Sequence, residues 1–314
     1  MLNEYYDTIV IGGGPAGLTA GIYLSRSKMK TLILNEGTVG GQIILTHEIA
    51  NYPGIEKISG YQLANVMKSQ AKSFGCTIKS NIKITGMDLT GDVKAVGINN
   101  KEIYSAGSVI FATGGRSRNL NVPGEEKFKG KGISYCATCD GDFFQDKNII
   151  VVGGGNSALE EAVSLTKYAS TVTIVHQFEN FQAFEHAVEE AQNNPKINFM
   201  MGSKIKEFIG ENSLEKVIIE NLNTLEISEM NIEGVFIFIG YQPNTESLKG
   251  IITLNDKNEI IVNENYETNI PGVFAAGDSI QKKYRQITTA VADGTIAALS
   301  AIEYINSTKI LNHA

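Results

Sequence analysis

The sequence predicts an α/β protein built from two similar units, and three observations carry that prediction. A short apolar stretch runs into glycines at Gly12, and another runs into glycines at Gly153. A helix with small residues on one face follows each glycine turn, and a β-branched stretch follows each helix. A strand–turn–helix–strand unit that occurs twice is typical of two Rossmann-like dinucleotide-binding domains in one chain.

The composition is that of a globular protein and excludes one class of function. The chain has 314 residues, 42% of them hydrophobic and 19% charged, as in an ordinary protein with a full core. The net charge of −7 argues against nucleic-acid binding, which needs a basic face. The N-terminus lacks the basic start of a signal peptide, and glycines and a proline interrupt the uncharged stretch 8–25. We therefore expect no membrane span and a cytoplasmic location.

The first glycine turn has the spacing of a phosphate-binding loop. Asp7–Ile11 is predicted to be a buried parallel strand that enters Gly-Gly-Gly-Pro-Ala-Gly at 12–17. In such a loop the first glycine permits a tight turn, the second admits a pyrophosphate, and the third lets the helix pack on the strand. These roles fall to Gly12, Gly14 and Gly17, and the helix N-terminus attracts phosphate.

The strand after this helix ends at an acid. Thr31–Asn35 is apolar, and Glu36 lies 19 residues after Gly17, where a carboxylate that binds a ribose is expected. The alternative is a glycine-rich turn that binds nothing. A further strand of the same sheet is predicted over 109–115, where it runs into glycines.

The second unit keeps the fingerprint but lacks the residues expected after its second strand. Asn148–Val152 enters the glycines at 153–158, and Thr171–Val175 ends at His176. An NAD site expects an acid there, and an NADP site expects arginine for the 2′-phosphate. The stretch 168–195 holds no lysine or arginine. The sequence therefore predicts a fingerprint kept for its packing role, with NADH or NADPH use as alternatives.

Two of the three cysteines form the candidate catalytic centre. Cys136 and Cys139 can close a disulfide, and the carboxyl of Asp140 can move the accompanying proton. Cys76 stands alone and is predicted to be a buried structural residue. The alternative for the pair is a zinc site, but zinc usually takes four ligands from paired motifs, and the chain has no second Cys-x-x-Cys. No metal is expected.

The end of the chain returns to strand and helix patterns. A strand is predicted over 235–240, and another over 273–278 ends at Asp278. Thr288–Ile305 is predicted to be a helix of small residues, whose N-terminus carries a partial positive charge.

Seven short motifs occur along the chain in a fixed order. They are GGGPAG at 12–17, GGQ at 40–42, NYPG at 51–54, CATCDG at 136–141, GGGNSALEEA at 153–162, FAAGD at 274–278 and YRQITTA at 284–290. In this order they resemble the motifs of the low-molecular-weight thioredoxin reductase family, and the likeness covers nearly the whole chain. The resemblance implies an FAD-binding domain formed by 1–115 and 246–314, into which 116–245 is inserted as a nicotinamide-nucleotide-type domain with the cysteine pair.

The resemblance also implies which residues hold a non-covalent FAD. Asp278 would bind the ribityl chain, and Arg285, Gln286 and the helix N-terminus that follows would lie at the isoalloxazine ring. The candidate set is Gly12, Gly14, Pro15, Ala16, Gly17, Glu36, Gly41, Gln42, Asn51, Thr113, Gly277, Asp278, Arg285, Gln286 and Ile287.

For the cysteine pair the resemblance implies a division of roles. Cys139 would exchange electrons with the flavin, and Cys136 would attack the disulfide of thioredoxin or a thioredoxin-like protein. Asp140 would be the acid and base. Homodimers are usual in the family.

The chain departs from the family at the nucleotide clamp, whose pattern is His-Arg-Arg-x-x-x-Arg. The arginine positions hold Gln177, Phe178 and Gln182 here. This loss predicts a donor other than NADPH, because members with such losses resemble ferredoxin-dependent flavin thioredoxin reductases. Reduced ferredoxin is the expected donor, docking at the basic stretch Lys282–Arg285, for which a solvated turn is the alternative. Two further hypotheses stay open: NADH or NADPH is the donor, or the protein is a redox-sensing flavoprotein without turnover.

Overall fold

The structure is a computed structural model that describes residues 4–46 and 48–311. The chain divides into two compact units, one formed by Met1–Arg116 with Gln242–Ala314 and the other by Ser117–Tyr241. Each unit is an α/β fold around a sheet that is parallel at its centre, so the predicted fold class is confirmed.

The strands hold most of the apolar stretches of the sequence. They are β1 (Glu4–Ile11), β2 (Thr31–Asn35), β3 (Thr77–Ser80), β4 (Ile84–Asp88), β5 (Lys94–Ile98), β6 (Glu102–Phe111), β7 (Gly115–Ser117), β8 (Ile133–Ser134), β9 (Asn148–Val152), β10 (Thr171–Val175), β11 (Ile197–Met200), β12 (Ser203–Ile209), β13 (Lys216–Asn221), β14 (Ile227–Asn231), β15 (Gly234–Ile237), β16 (Tyr241–Pro243) and β17 (Val273–Ala275).

Helices follow the glycine turns and cover the sheets. They are α1 (Pro15–Arg26), α2 (Gly60–Ser73), α3 (Glu125–Phe128), α4 (Ala137–Asp140), α5 (Asn156–Leu165), α6 (Glu185–Gln192) and α7 (Ile287–Leu311), with 3-10 helices at Gly41–Leu45, Gly141–Phe144, Glu246–Leu248 and Gly277–Ser279. In the part of the chain that the structure describes, none of these helices combines the length and apolar character that crossing a membrane requires.

The sheet of the first unit has the order β3-β2-β1-β6-β5-β4, and β17 also pairs with β6. The neighbours of β1, β2 and β17 are parallel, whereas β4 and β5 run antiparallel. The predicted strand 109–115 is wrong at both ends, since β6 spans Glu102–Phe111. The reason is long-range pairing: the first half of β6 pairs with β5 and only its last three residues pair with β17.

Both faces of this sheet are covered by apolar side chains. In β1, Val10 lies in the core beneath α1 and α7, while Ile9 and Ile11 lie in the core on the opposite face. Alternate residues of a strand point to opposite faces, so a strand covered on both sides is apolar throughout. This explains the continuous apolar run that precedes Gly12.

The second unit repeats this arrangement. Its sheet has the order β11-β10-β9-β15-β8 with all pairs parallel, and β12, β13 and β14 form a separate antiparallel sheet. In β9, Ile149 and Val151 face one core while Ile150 and Val152 face the other.

Helix α7 packs tightly against α1. It spans Ile287–Leu311 and is longer than the predicted Thr288–Ile305. A Cβ placed on Gly294 would lie 2.2 Å from the carbonyl oxygen of Ala16. The small residues of α7 therefore let its backbone approach the first turn of α1, where the glycine loop begins the helix.

We expect Gly294→Ala to lower the free energy of unfolding by about 1–3 kcal/mol, because the new methyl group would meet backbone that cannot move aside. Helix propensity alone predicts the opposite sign, since alanine favours a helix by about 1 kcal/mol over glycine. Urea unfolding of the FAD-loaded protein measures the difference.

Gly37→Ala is the matched control, because no heavy atom lies within 4 Å of its would-be Cβ. Equal effects of the two substitutions on stability would contradict the close packing of α1 and α7.

Candidate functional site

The cysteine pair lies in a single helical turn. Cys136 is the N-cap of α4, and a disulfide joins it to Cys139 with a Cα–Cα distance of 5.3 Å. Residues three apart on a helix are neighbours on its surface, which is what the Cys-x-x-Cys spacing provides. The backbone N–H of Cys139 also donates to Sγ of Cys136 at 3.2 Å. Both sulfurs thus belong to this one turn.

Asp140 is the last residue of the same turn and is held by a serine. The Ser134 hydroxyl donates to Oδ2 of Asp140 at 2.6 Å. Burial raises the pKa of the Asp140 carboxyl, and the negative charge of Asp142 raises it further. A carboxyl whose pKa is raised can hold a proton closer to neutral pH than an exposed one. The turn that holds the disulfide therefore also holds a carboxyl that can carry a proton.

A buried glutamate anchors the segment that leads into the pair, and it belongs to no motif recognised in the sequence. Glu125 accepts hydrogen bonds from the backbone N–H groups of Leu120 and Asn121, at 3.0 and 2.7 Å. It also accepts from the Tyr135 hydroxyl at 2.7 Å. Burial and this carboxylate raise the pKa of Tyr135, which stays protonated. The residue before Cys136 is therefore fixed by a carboxylate that accepts three hydrogen bonds.

The first glycine loop fits a dinucleotide. Gly12 has φ +111°, and a Cβ there would lie 2.1 Å from the carbonyl oxygen of Ala112. A Cβ on Gly17 would lie 1.9 Å from the carbonyl oxygen of Gly12. In contrast, the nearest atom to a Cβ on Gly14 is Cα of Gly41, at 3.8 Å. The chain itself needs Gly12 and Gly17, whereas Gly14 leaves room for a ligand.

The N-terminus of α1 is suited to bind phosphate. Gly14 is its N-cap without a side-chain hydrogen bond, and Pro15 occupies the first turn. Backbone N–H groups at such a helix end bind anions. The next residue, Ala16, lies against Gly277, since a Cβ placed on Gly277 would be 2.8 Å from the Cβ of Ala16. The fold thus brings the first loop and the FAAGD motif together.

A buried hydroxyl in the segment beside this loop finds no hydrogen-bond partner among the described residues. Oγ1 of Thr113 makes no hydrogen bond to any residue in the described ranges. The backbone of Thr113 lies next to Gly12, because a Cβ on Gly12 would be 3.0 Å from the Thr113 backbone nitrogen. Buried polar groups are nearly always hydrogen-bonded. The orphaned hydroxyl fits a site that a polar ligand such as FAD completes.

Asp278 belongs to a buried charge cluster whose two other members, Lys282 and Asp293, were not predicted as site residues. Lys282 Nζ lies 3.1 Å from Asp278 Oδ1 and 2.7 Å from Asp293 Oδ2. The backbone N–H of Gly277 donates to the same oxygen of Asp293 at 3.1 Å. Burial raises the pKa of Asp278 against the lowering effect of Lys282. The i, i+4 spacing of Asp278 and Lys282 could have revealed their pairing.

The start of α7 meets a distant loop. The side-chain amide of Asn51 donates to Oε1 of Gln286 at 3.4 Å, across 235 residues of sequence. Arg285 forms an ion pair with Glu259, and Ile287 is the first residue of the helix. The structure therefore gathers these four predicted cofactor residues within the first unit.

The contacts of Glu36 and Gln42 do not test their predicted roles in binding the cofactor. Glu36 is exposed, and its Oε1 accepts a hydrogen bond from the backbone N–H of Ile84 at 3.0 Å. The strand-end side chain that reaches the glycine loop is Asn35, whose Oδ1 accepts from the Gly13 N–H at 2.8 Å. Gln42 is exposed in the 3-10 helix Gly41–Leu45. Ribose binding by Glu36 stays a prediction.

The basic stretch Lys282–Arg285 does not form the positive docking patch expected from the sequence. Lys282 is only 12% exposed and pairs with Asp278 and Asp293, and Arg285 pairs with Glu259. Two of its three cations are therefore neutralised by carboxylates within the first unit.

The second glycine loop leaves a similar opening. Gly153 has φ +143°, and a Cβ there would lie 2.4 Å from the carbonyl oxygen of Phe238. The nearest atom to a Cβ on Gly155 is the carbonyl oxygen of Gln182, at 3.8 Å. Gly155 is also the N-cap of α5, without a side-chain cap. This loop therefore has both the tight turn and the room that a dinucleotide needs.

His176 occupies the position beside Gly154. A Cβ on Gly154 would lie 2.3 Å from the imidazole, which stacks on Phe181 and meets the edge of Phe178. Burial lowers the pKa of His176, so its ring is neutral near pH 7. Nε2 has no hydrogen-bond partner among the residues that the structure covers.

The positions of the family's clamp arginines lie on the surface of this loop. Gln177 and Phe178 follow His176 and are exposed, with Phe178 at 49%. The backbone N–H of Gln182 donates to the Gly154 carbonyl at 2.8 Å, which fixes the loop against the fingerprint. The three side chains at these positions are exposed and carry no charge.

Cys76 is buried, as predicted, at 5% exposure. Burial raises the pKa of its thiol to about 11, so the reactive thiolate does not form near neutral pH. Within the described residues no group of three or more His, Cys, Asp or Glu side chains gathers as metal ligands would. His47 and His313 lie outside those residues.

Known proteins resemble this chain over nearly its whole length. The family model Pyridine nucleotide-disulphide oxidoreductase matches residues 6–294. A 34.2 kDa protein in the rubredoxin operon of Clostridium pasteurianum is 47% identical over 299 residues, 95% of this chain and 97% of that protein. The thioredoxin reductase of Peptoclostridium acidaminophilum is 46% identical over 313 residues, 98% and 99% of the two chains.

A solved structure is similar to this chain over the same length. The thioredoxin reductase of Streptococcus pyogenes matches with a TM-score of 0.93 and 41% identity, and the match covers 98% of this chain and 100% of that one. Such identity over full length, together with the cysteine pair and the two glycine loops, places the chain in a family. It belongs to the pyridine nucleotide-disulphide oxidoreductases and, within them, to the low-molecular-weight thioredoxin reductase family of FAD-binding enzymes.

Proposed function

We propose that the protein is a flavin-dependent disulfide reductase that reduces thioredoxin through the Cys136–Cys139 pair. The observation that carries this proposal is a disulfide within one helical turn, with the half-buried carboxyl of Asp140, whose pKa is raised, in the same turn. Relatives named thioredoxin reductase, at 41% and 46% identity, support the choice of substrate.

The reductive half of the cycle opens the disulfide. When bound, FAD supplies the carrier that passes two electrons from the donor to the sulfur pair. Two electrons and two protons break the S–S bond and leave the Cys136 and Cys139 thiols. We assign Cys139 as the sulfur that exchanges electrons with the flavin, and Asp140 as the group that holds or gives the proton.

The oxidative half closes the disulfide again. The Cys136 thiolate attacks one sulfur of the thioredoxin disulfide, so a mixed disulfide forms and a thioredoxin thiolate leaves. Cys139 then attacks Cys136, which releases the second thioredoxin thiolate and restores the protein disulfide. The two protons of the Cys136 and Cys139 thiols pass, with Asp140 as the carrier, to the two thioredoxin sulfurs, and the two electrons leave with them.

The first unit would hold FAD. We assign the FAD pyrophosphate to Gly14, Pro15 and the N-terminus of α1, and the glycine loop and the Thr113 hydroxyl support this assignment. We assign the ribityl chain to Asp278, and the charge cluster to which Asp278 belongs supports it. The homodimer stays a prediction of the family resemblance, and the cytoplasmic location stays a prediction of the sequence.

We infer that the electron donor is a nicotinamide nucleotide. The relatives give no support to ferredoxin, and the neutralised stretch Lys282–Arg285 removes its expected docking patch. The family match and the open face of Gly155 favour a dinucleotide in the second unit. Because Gln177, Phe178 and Gln182 offer no charge to a 2′-phosphate, we expect NADH to be preferred over NADPH.

Anaerobic mixing of the oxidised protein with NADH, NADPH or reduced ferredoxin should bleach the flavin absorbance fastest with NADH. The reason is that binding a 2′-phosphate without a cation leaves its charge unpaired. Stopped-flow absorbance measures each rate. Bleaching by ferredoxin alone would overturn the donor inference and restore the expectation drawn from the missing arginines.

The variant Gln177→Arg/Phe178→Arg/Gln182→Arg should raise kcat/KM for NADPH roughly tenfold or more, since one charge-assisted contact contributes at least about 1.4 kcal/mol. The rate with NADH should change little. Gln70→Arg, exposed on α2, controls for added charge. No gain with NADPH would mean that the second unit binds no 2′-phosphate in this position.

Cys139→Ser should abolish thioredoxin reduction while the donor still reduces the flavin, because the reduced flavin then has no Cys139 sulfur to which it can pass its electrons. Single-turnover absorbance separates the two steps. Cys76→Ala is the matched control and should keep both, since that thiol is buried and unreactive. Loss of donor reduction in Cys139→Ser would show that the role assigned to Cys139 is wrong.

A further inference from the structure

We propose that Ser134 is a positioning residue of the redox centre, whose hydroxyl holds the Asp140 carboxyl in place beside the cysteine pair. The inference rests on the proposed function, in which Asp140 handles the proton of the thiol–disulfide step. Ser134 lies outside the cysteine motif, so only its contacts in the fold reveal this role.

The hydroxyl of Ser134 contacts both ends of the redox turn. It accepts a hydrogen bond from the backbone N–H of Cys136 at 3.0 Å. A hydroxyl has one proton to donate, and two acceptors lie within reach: Asp140 Oδ2 at 2.6 Å and the Cys136 carbonyl at 3.3 Å. The shorter bond, to a carboxylate, is the stronger one. The serine therefore links the first cysteine to the acid.

The position of Ser134 makes this link rigid. It ends strand β8, where it pairs with Phe236 of β15, and its side chain is buried at 5% exposure. Helix α4, by contrast, is a single turn whose own disulfide opens and closes during the reaction. Ser134 thus ties a turn that changes its covalent state to the parallel sheet of the second unit.

The hydrogen bond also acts on the charge of Asp140. Burial raises the pKa of this carboxyl and the bond from Ser134 lowers it, because donation to a carboxylate favours the ionised form. Among charged groups on neighbouring elements, Asp142 acts to raise the same pKa. Helix α5, which packs on α4, carries the carboxyl groups of Glu160 and Glu161, and burial raises the pKa of Glu161. Removal of the hydroxyl should therefore move the ionisation of Asp140 to higher pH.

The test uses the FAD-loaded protein, reduced with dithionite and then mixed with a small aromatic disulfide across a range of pH. This probe needs neither the nucleotide donor nor thioredoxin. The rate at which the disulfide is reduced is plotted against pH, and the limb of this profile that depends on Asp140 is followed. Ser134→Ala should shift the limb upward by about one pH unit, a tenfold change in the proton affinity of the Asp140 carboxyl. Ser134→Thr keeps the hydroxyl and should retain the wild-type limb.

Ser134→Val provides the isosteric contrast with threonine and should shift the limb as alanine does, so the test does not depend on one variant folding. Ser203→Ala is the matched control, because Ser203 is buried in the same unit and its hydroxyl donates to the Met201 carbonyl, at 3.0 Å. It should change thermal stability without moving the limb. A limb unmoved in both Ser134→Ala and Ser134→Val would overturn the inference.

Asp140→Asn separates this inference from the proposed function. The variant should remove the limb altogether. If the limb persists in Asp140→Asn, the acid–base assignment of Asp140 fails, and the role of Ser134 fails with it. If Asp140→Asn removes the limb and the serine variants leave it in place, only the role of Ser134 is wrong.

Discussion

The contact of backbone with backbone at the two glycine loops is the constraint on which the rest of the structure depends. In each loop a glycine lies so close to the segment after a neighbouring strand that any Cβ would meet a carbonyl oxygen, at 2.1 Å for Gly12 and 2.4 Å for Gly153. Because of this close approach, α1 and α5 begin only a short loop after the ends of β1 and β9. At Gly14 and Gly155 the nearest atom to a Cβ lies 3.8 Å away, so the same loops that pack the fold also keep room for a dinucleotide.

The central strands could be predicted because both of their faces are covered. Continuous apolar runs mark β1, β2, β9 and β10, and each lies within three residues of its predicted limits. The limits of β6 and α7 could not be predicted, since they depend on pairing with β5 and on packing against α1. The antiparallel strands β12–β14 are exposed on one side, and polar residues there interrupt the continuous apolar runs that mark the central strands. These strands could therefore not be predicted in the same way.

The redox centre could be predicted only where its chemistry is local. Cys136, Cys139 and Asp140 share one turn, and their residue types indicate their role. Ser134 and Glu125 act through contacts that no spacing reveals. The basic stretch misled partly for the same reason, because two of the carboxylates that neutralise it, Asp293 and Glu259, lie 11 and 26 residues from their partners in the chain, whereas Asp278 lies only four residues before Lys282.

The disulfide spans a separation of three residues within one helical turn. A crosslink restricts the unfolded chain in proportion to the logarithm of the loop that it closes, so one this short stabilises the fold by about 2 kcal/mol, against about 3 kcal/mol for a loop of fifteen residues. The oxidised protein should therefore resist unfolding more than the reduced one, though by less than a disulfide across a long loop would give. Each turnover that breaks this bond and forms it again changes the stability of the fold by that amount.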